Sequence, residues 1–209
     1  MKRLVVIALC ASAAACSKAD APPATTATPP TAAPAGAFAT GTVAGNGPSP
    51  DSAGAVVVVL EPKGARTFAA QSEKPIMDQA GLTFGPELLL VRTGQPVEFR
   101  NSDDTLHNVR VSHEETRTSA FNVAIPTGEA YSYTFERDGF YRVGCDIHPA
   151  MAASIFAAST PYTTLADSGG AFTFADVPAG SWTITIYAGG KRLHKDVEVT
   201  GGVTNVTVE

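Results

Sequence analysis

Beyond Phe38 no run of apolar residues recurs at helical spacing over three turns, and this confines the rest of the chain to β structure. What recurs instead is short β-branched or alternating segments. Ala55 to Leu60 is a continuous apolar run containing four consecutive valines, the pattern of a strand buried on both faces. Leu88 to Val91 and Pro96 to Phe99 flank a Thr-Gly-Gln turn. Ala130 to Phe135 alternates Tyr and Phe with Ser and Thr. Trp182, Ile184 and Ile186 alternate with Thr183 and Thr185, and Val197, Val199, Val203, Val206 and Val208 continue the pattern. Glycine and proline, 19 and 15 in the chain, punctuate these segments at short intervals. The expected fold class is all-β, built as sandwiches.

The first residues have another logic. Lys2 and Arg3 precede an apolar run from Leu4 to Leu9, continued by small residues to Cys16. That run is too short for a permanent membrane span and has the form of a secretory signal, residues 1–15. Ala13-Ala14-Ala15-Cys16 resembles a bacterial lipobox, which makes Cys16 the expected lipidated residue; cleavage after Ala15 without lipidation is the competing reading. Residues 16–37, almost entirely Ala, Pro, Thr and Ser, are expected to be an extended tether. The expected location is the periplasm or cell envelope, with an outer-membrane lipid anchor. Losing Lys2 and Arg3 takes the formal charge from −5 to −7, which argues against nucleic acid as a partner.

Export makes one residue conspicuous. Cys10 falls in the signal and Cys16 at the cut, so Cys145 has no cysteine to pair with in a compartment where structural thiols are oxidised. It can be a small buried hydrophobe, but it stands in Cys145-Asp-Ile-His148-Pro-Ala-Met151. Strand parity puts Tyr141, Val143 and Cys145 on one face, with Phe140, Arg142 and Gly144 on the other. Cys145 then ends a strand before a tight loop that can turn His148 and Met151 back toward the sulfur. Thiolate, imidazole and thioether together are a soft donor set that favours copper. A zinc site wants more strong donors, haem attachment wants a second cysteine, and a Cys-His nucleophile leaves Met151 without a role. Of the other histidines, His107 opens an expected strand after a polar turn. His113, before Glu114-Glu115, and His194, in a Lys-Arg-Leu-His-Lys run, are expected at the surface.

Asn101-Ser-Asp-Asp-Thr-Leu-His107-Asn108-Val109, followed by Gly139-Phe-Tyr-Arg-Val-Gly-Cys145-Asp-Ile-His148-Pro-Ala-Met151, resembles the cupredoxins. The short Cys-x-x-His-x-x-Met loop is like that of amicyanin rather than plastocyanin or pseudoazurin. The resemblance implies one type 1 copper ion held by His107, Cys145 and His148, with Met151 as weak axial ligand. It implies that Asn108 ties the histidine strand to the cysteine loop. Ile147, Pro149 and Ala150, flanking His148, are the expected electron-transfer surface.

Residues 159 to 209 resemble the C-terminal part of a carboxypeptidase-regulatory-like domain, a transthyretin-type β-sandwich. Its opening strands are similar to Gly41-Thr-Val43 and Ala55 to Leu60. The implied organisation is a cupredoxin domain, residues 64–159, interrupting a sandwich of residues 38–63 and 160–209. Met77-Asp78-Gln79, Asn-Ser-Asp-Asp and His-Asn-Val together resemble copper proteins labelled as methylamine-utilisation proteins; Met77 itself reads as packing. The function implied is one-electron transfer, Cu(I)/Cu(II), between redox partner proteins, without enzymatic activity. A copper carrier or buffer is the alternative, and a structural or adhesive sandwich without physiological metal is a third.

Overall fold

Every described segment of β structure follows from where apolar side chains can be buried in sheets. The computed structural model describes residues 39–50 and 54–209; the expected signal, Cys16 and the tether lie outside the described residues. Among the described residues there are sixteen strands and no helix. In chain order they are β1 (Thr40–Asn46), β2 (Val57–Pro62), β3 (Ile76–Ala80), β4 (Thr83–Gly85), β5 (Leu88–Arg92), β6 (Pro96–Asn101), β7 (His107–His113) and β8 (Ser119–Ile125). Then come β9 (Ala130–Thr134), β10 (Gly139–Gly144), β11 (Ala152–Ala158), β12 (Thr163–Leu165), β13 (Ala171–Pro178), β14 (Gly180–Ala188), β15 (Lys191–Val199) and β16 (Val203–Thr207).

The strands form four sheets. A five-stranded sheet, β5-β11-β10-β7-β8, and a four-stranded sheet, β4-β3-β6-β9, draw only on residues 76–158. They enclose a core of Met77, Phe99, Val109, Val111, Phe135, Tyr141, Val143 and Ile155. A three-stranded sheet, β13-β1-β16, and a four-stranded one, β12-β2-β14-β15, draw on residues 40–62 and 163–207. Their core gathers Val58, Leu60, Phe172, Phe174, Trp182 and Ile184. The two core sets share no strand.

A third cluster joins them. Val57 and Val59 pack with Phe156 and Ala158, flanked by Leu88, Leu90, Phe140 and Tyr187. β2 therefore sends alternate valines into two different cores, which is why its run is continuous rather than alternating. Phe140, Phe156 and Tyr187 meet ring to ring, with centroids 4.7 to 5.6 Å apart.

Register fixes the site. β10 is antiparallel to β7, with Tyr141 opposite His113, Val143 opposite Val111 and Gly144 opposite Arg110. The end of β10 thus lies beside the start of β7, so Cys145 and His107 come to the same edge though 38 residues apart in sequence. On β7 the odd positions His107, Val109, Val111 and His113 are buried, as are Tyr141, Val143 and Cys145. The period of two delivers both candidate ligands inward. It also corrects the expectation for His113, which is not at the surface. Its Nε2 faces the Asp138 carbonyl at 3.2 Å, its Nδ1 accepts from Thr116 N–H at 3.2 Å, and its ring packs edge-on to Tyr141. The strand runs on through residue 113 before the charged Glu114-Glu115 turn begins. His194 is exposed on β15.

Candidate metal centre

Three donor atoms converge at that edge. Cys145 Sγ lies 3.9 Å from His107 Nδ1 and 4.0 Å from His148 Nδ1, and the two ring nitrogens are 2.9 Å apart. The three residues form the one His/Cys/Asp/Glu group of metal-binding geometry among the described residues. His107 and Cys145 are buried and His148 half-buried. Met151 is buried in the same core cluster as Cys145. The connecting loop is closed on itself: Met151 N–H donates to the His148 carbonyl at 2.9 Å, and Cys145 N–H to the Met151 carbonyl at 3.3 Å. A segment of seven residues thereby returns Met151 to the sulfur's side of the core.

The donors have the right chemical form. His107 Nε2 is 2.8 Å from an Asp103 carboxylate oxygen, which can only accept. A ring proton on Nε2 would satisfy that contact and leave the Nδ1 lone pair facing Cys145 and His148. Burial pushes the Cys145 thiol up, but the backbone of Asn108 and His148, the His107 ring and the Ile147 backbone outweigh it, and the net displacement is downward. A thiol so placed gives up its proton more readily to become a ligand.

Asn108 joins strand to loop. Its Oδ1 accepts from the Cys145 thiol at 3.3 Å, from Asp146 N–H at 2.7 Å and from Ile147 N–H at 3.3 Å. Its Nδ2 donates to Asn122 Oδ1 at 2.8 Å and to Asp146 at 3.1 Å, which fixes which way the amide faces. Arg110 and Asn122 also donate to the Asp146 carboxylate, at 2.6 and 2.9 Å. The Arg110 and Asn122 bonds, the largest influences, hold that carboxyl below the usual range.

A metal can be tested against these distances. Metal–nitrogen bonds of about 2.0 Å and a metal–thiolate bond of about 2.3 Å meet at one point in the plane of a triangle with sides of 2.9, 3.9 and 4.0 Å. The donors are thus spaced for a trigonal His2Cys set, and a thioether completes the combination that suits copper better than zinc. His107, Cys145 and His148 are residues that fit the ion.

On the loop from Cys145 to Met151, Ile147, Pro149 and Ala150 are exposed. Leu106 and Leu82, which sequence reasoning did not single out, are each about half exposed, at 48% and 52%. Asp103, Asp146 and Asn122 were also not singled out. Asp103 stands four residues before His107, but outside a helix that interval implies no contact. Asp146, directly after the cysteine, was the most findable, because a carboxylate there faces the amide at Asn108.

Residues 71–156, fewer than half of the 209, match the family of copper binding proteins, plastocyanin/azurin family. No curated protein matches the chain. Among solved structures, a reduced mutant of amicyanin is 23% identical over 43% of this chain and 86% of its own, with a TM-score of 0.38. A Cu-containing nitrite reductase from Thermus scotoductus is 26% identical over 48% of this chain and 26% of its own, at 0.39. A purple cupredoxin from Nitrosopumilus maritimus is 20% identical over 41% of this chain and 100% of its own, at 0.36. It is the stretch from residue 71 to residue 156, the one that contains every donor described above, that is similar to the copper-binding proteins of the plastocyanin/azurin family.

Proposed function

We propose that this chain is a type 1 copper protein that carries single electrons between redox partner proteins in the bacterial cell envelope. The observation that carries the reading is the coplanar fit of His107 Nδ1, Cys145 Sγ and His148 Nδ1 to one metal position, with the other His107 nitrogen against the Asp103 carboxylate. In this reading Met151, buried in the same cluster as Cys145, would supply a thioether as a further donor. Bound copper supplies a one-electron couple, Cu(I)/Cu(II), whose potential depends on the axial ligand and on hydrogen bonding around the sulfur.

The chain's own residues supply the rest. β7 and β10 hold His107 and Cys145 from two paired strands, so neither ligand moves far when the charge at the centre changes. Asn108 holds the loop amides of Asp146 and Ile147 and touches the sulfur. His148 is the only half-buried donor of the three, and the exposed Ile147, Pro149 and Ala150 flank it in the loop. We read that apolar rim as the place where a partner approaches, with electrons passing through His148. On this reading the protein acts as a carrier rather than an enzyme.

The domain reading belongs to the same proposal. A copper domain, residues 64–159, interrupts a carboxypeptidase-regulatory-like sandwich of residues 38–63 and 160–209. Its support is that no sheet mixes strands from the two sets. The likeness to methylamine-utilisation copper proteins and the anchorage through Cys16 rest on the residue patterns in the sequence.

The test is spectroscopic. One equivalent of Cu(II) added to the purified protein should give an intense thiolate-to-copper band that is absent in Cys145→Ser. A pale adduct unaffected by that substitution would falsify the reading. Rapid, reversible cycling with copper retained distinguishes an electron carrier from a copper carrier or buffer, which surrenders Cu(I) to a competing chelator.

A further inference from the structure

We propose that Asp103 is a positioning residue that fixes the inward-facing tautomer of His107 by bridging that ring to the exposed Gly81–Leu82 turn; this rests on the copper reading above. Three donors converge on its two oxygens. Gly81 N–H reaches one at 2.5 Å; Leu82 N–H at 3.0 Å and His107 Nε2–H at 2.8 Å share the other. Only acceptors serve there, and a carboxylate is the one side chain of this length with two oxygens and no donor. Asparagine would turn its NH2 group against an N–H.

Asp103 is itself held. Its N–H donates to Asn101 Oδ1 at 3.0 Å, and the buried Asn101 donates to the Thr105 and Ile125 carbonyls at 2.8 Å each. A carboxylate fixed on both sides cannot follow the ring if the ring turns, so it sets the ring's orientation.

The turn carries the second observation. Gly81 and Leu82 both have positive φ, at 62° and 58°, in the two-residue connection between β3 and β4. Glycine adopts that conformation freely, whereas leucine does so against its preference. Leu82 is half exposed, so packing does not hold it there. Hydrogen bonds from both turn amides to Asp103 do.

The consequence for the metal is directional. A carboxylate on the outer nitrogen makes the imidazole a stronger donor, which favours the more highly charged Cu(II) over Cu(I). Asp103→Asn is expected to weaken Cu(II) binding about 10- to 100-fold and Cu(I) binding less. The potential rises by about 59 mV for each tenfold difference between the two losses.

The experiment uses the full chain and two readouts. In the metal-free protein, long-range 1H–15N correlation should show the His107 proton on Nε2, and Asp103→Asn should give a mixture of tautomers. In the copper-loaded protein, Asp103→Asn should raise the potential and shift the visible band. Asp104→Asn removes the same charge one residue on and should change neither. A wild-type His107 protonated on Nδ1, or equal shifts in the two variants, overturns the proposal, and the first result is readable even if Asp103→Asn fails to fold. If the wild type gives no thiolate band, the copper reading falls and takes the potential with it. The tautomer result then still decides whether Asp103 sets the ring.

Discussion

The two halves of the molecule are built by the same rule and buried differently. In the sheets drawn from residues 40–62 and 163–207, alternating strands fill a core of Val, Leu, Ile, Phe and Trp182, and Thr185 is the buried polar residue on their strands. In the sheets drawn from residues 76–158, the strands also carry Gln79, Arg92, Asn101, His107, Asn108 and His113 to buried positions. Burying a polar side chain is costly unless it is bonded, and bonded groups give specificity rather than bulk stability. The first half therefore has the composition of a scaffold and the second that of a scaffold that accepts a cost to hold a site. Perturbing each in turn shows how separable they are.

The largest effect is expected in the half without donors. Trp182 is fully buried, donates from Nε1 to the Pro178 carbonyl at 2.9 Å, and packs against Tyr162 and Phe68 beneath the Arg66 guanidinium. Trp182→Ala should destabilise by about 3–5 kcal/mol. The folded fraction should still give the wild-type copper band in the same denaturant titration. A band that shifts while the protein remains folded would show that the third cluster, through Phe140 and Tyr187, transmits strain to β10.

Asn108→Ala is the complementary change. It leaves Asp146 N–H and Ile147 N–H without their acceptor, a cost of about 2–4 kcal/mol taken over the two groups. Unlike Trp182→Ala it should also speed copper loss and move the band, as read by chelator competition. Lost stability with an unaltered band would make Asn108 a structural residue alone.

Much of this contrast was legible in the sequence, and the reasons differ by residue. The valines of β2 form an uninterrupted run because two cores need them, and that reading survives in the structure. The parity of Tyr141, Val143 and Cys145 is likewise local. His113 was misjudged because its acidic neighbours suggested a loop, although counting by twos from His107 reaches it directly. The Asp103–His107 bond was hidden for a different reason. It depends on a polar turn whose path is set by Asn101, and on amides of a hairpin more than twenty residues earlier. Pairings of that kind are decided by tertiary closure, not by local pattern. The meeting of Phe140 with Tyr187 belongs to the same class.

Gly139 sharpens the comparison within one strand pair, since it lies at the end of β10 far from Cys145. Its φ is 126°, and a Cβ there would stand 2.9 Å from His113 Nε2. Gly139→Ala should cost about 1–3 kcal/mol through backbone strain, together with displacement of the His113 ring. Because the register between Val143 and Val111 lies between this end and the metal end, the band should be unmoved. A shifted band would mean that β10 transmits displacement along its length.

The smallest expected effect is at the surface, where the halves should cease to differ. Glu98 on β6 is held below the usual carboxylate range first by Lys74 and then by Arg100. Asp196 on β15 is held down first by Lys63 and then by Thr183. A depressed folded-state value means that each carboxylate favours the folded form above its unfolded value, near pH 4. That contribution is lost as pH falls through the lower folded value. Asp196 is exposed, and Glu98, though largely covered, pairs with the exposed Lys74 and Arg100; ion pairs open to solvent contribute little and salt screens them. Glu98→Gln and Asp196→Asn should therefore cause equally small losses of stability at neutral pH that vanish in high salt and in acid, with no change in the copper band. A salt-resistant loss confined to Glu98→Gln would place that carboxylate with the buried polar set, and the boundary between site and scaffold would have to be drawn further out along β6.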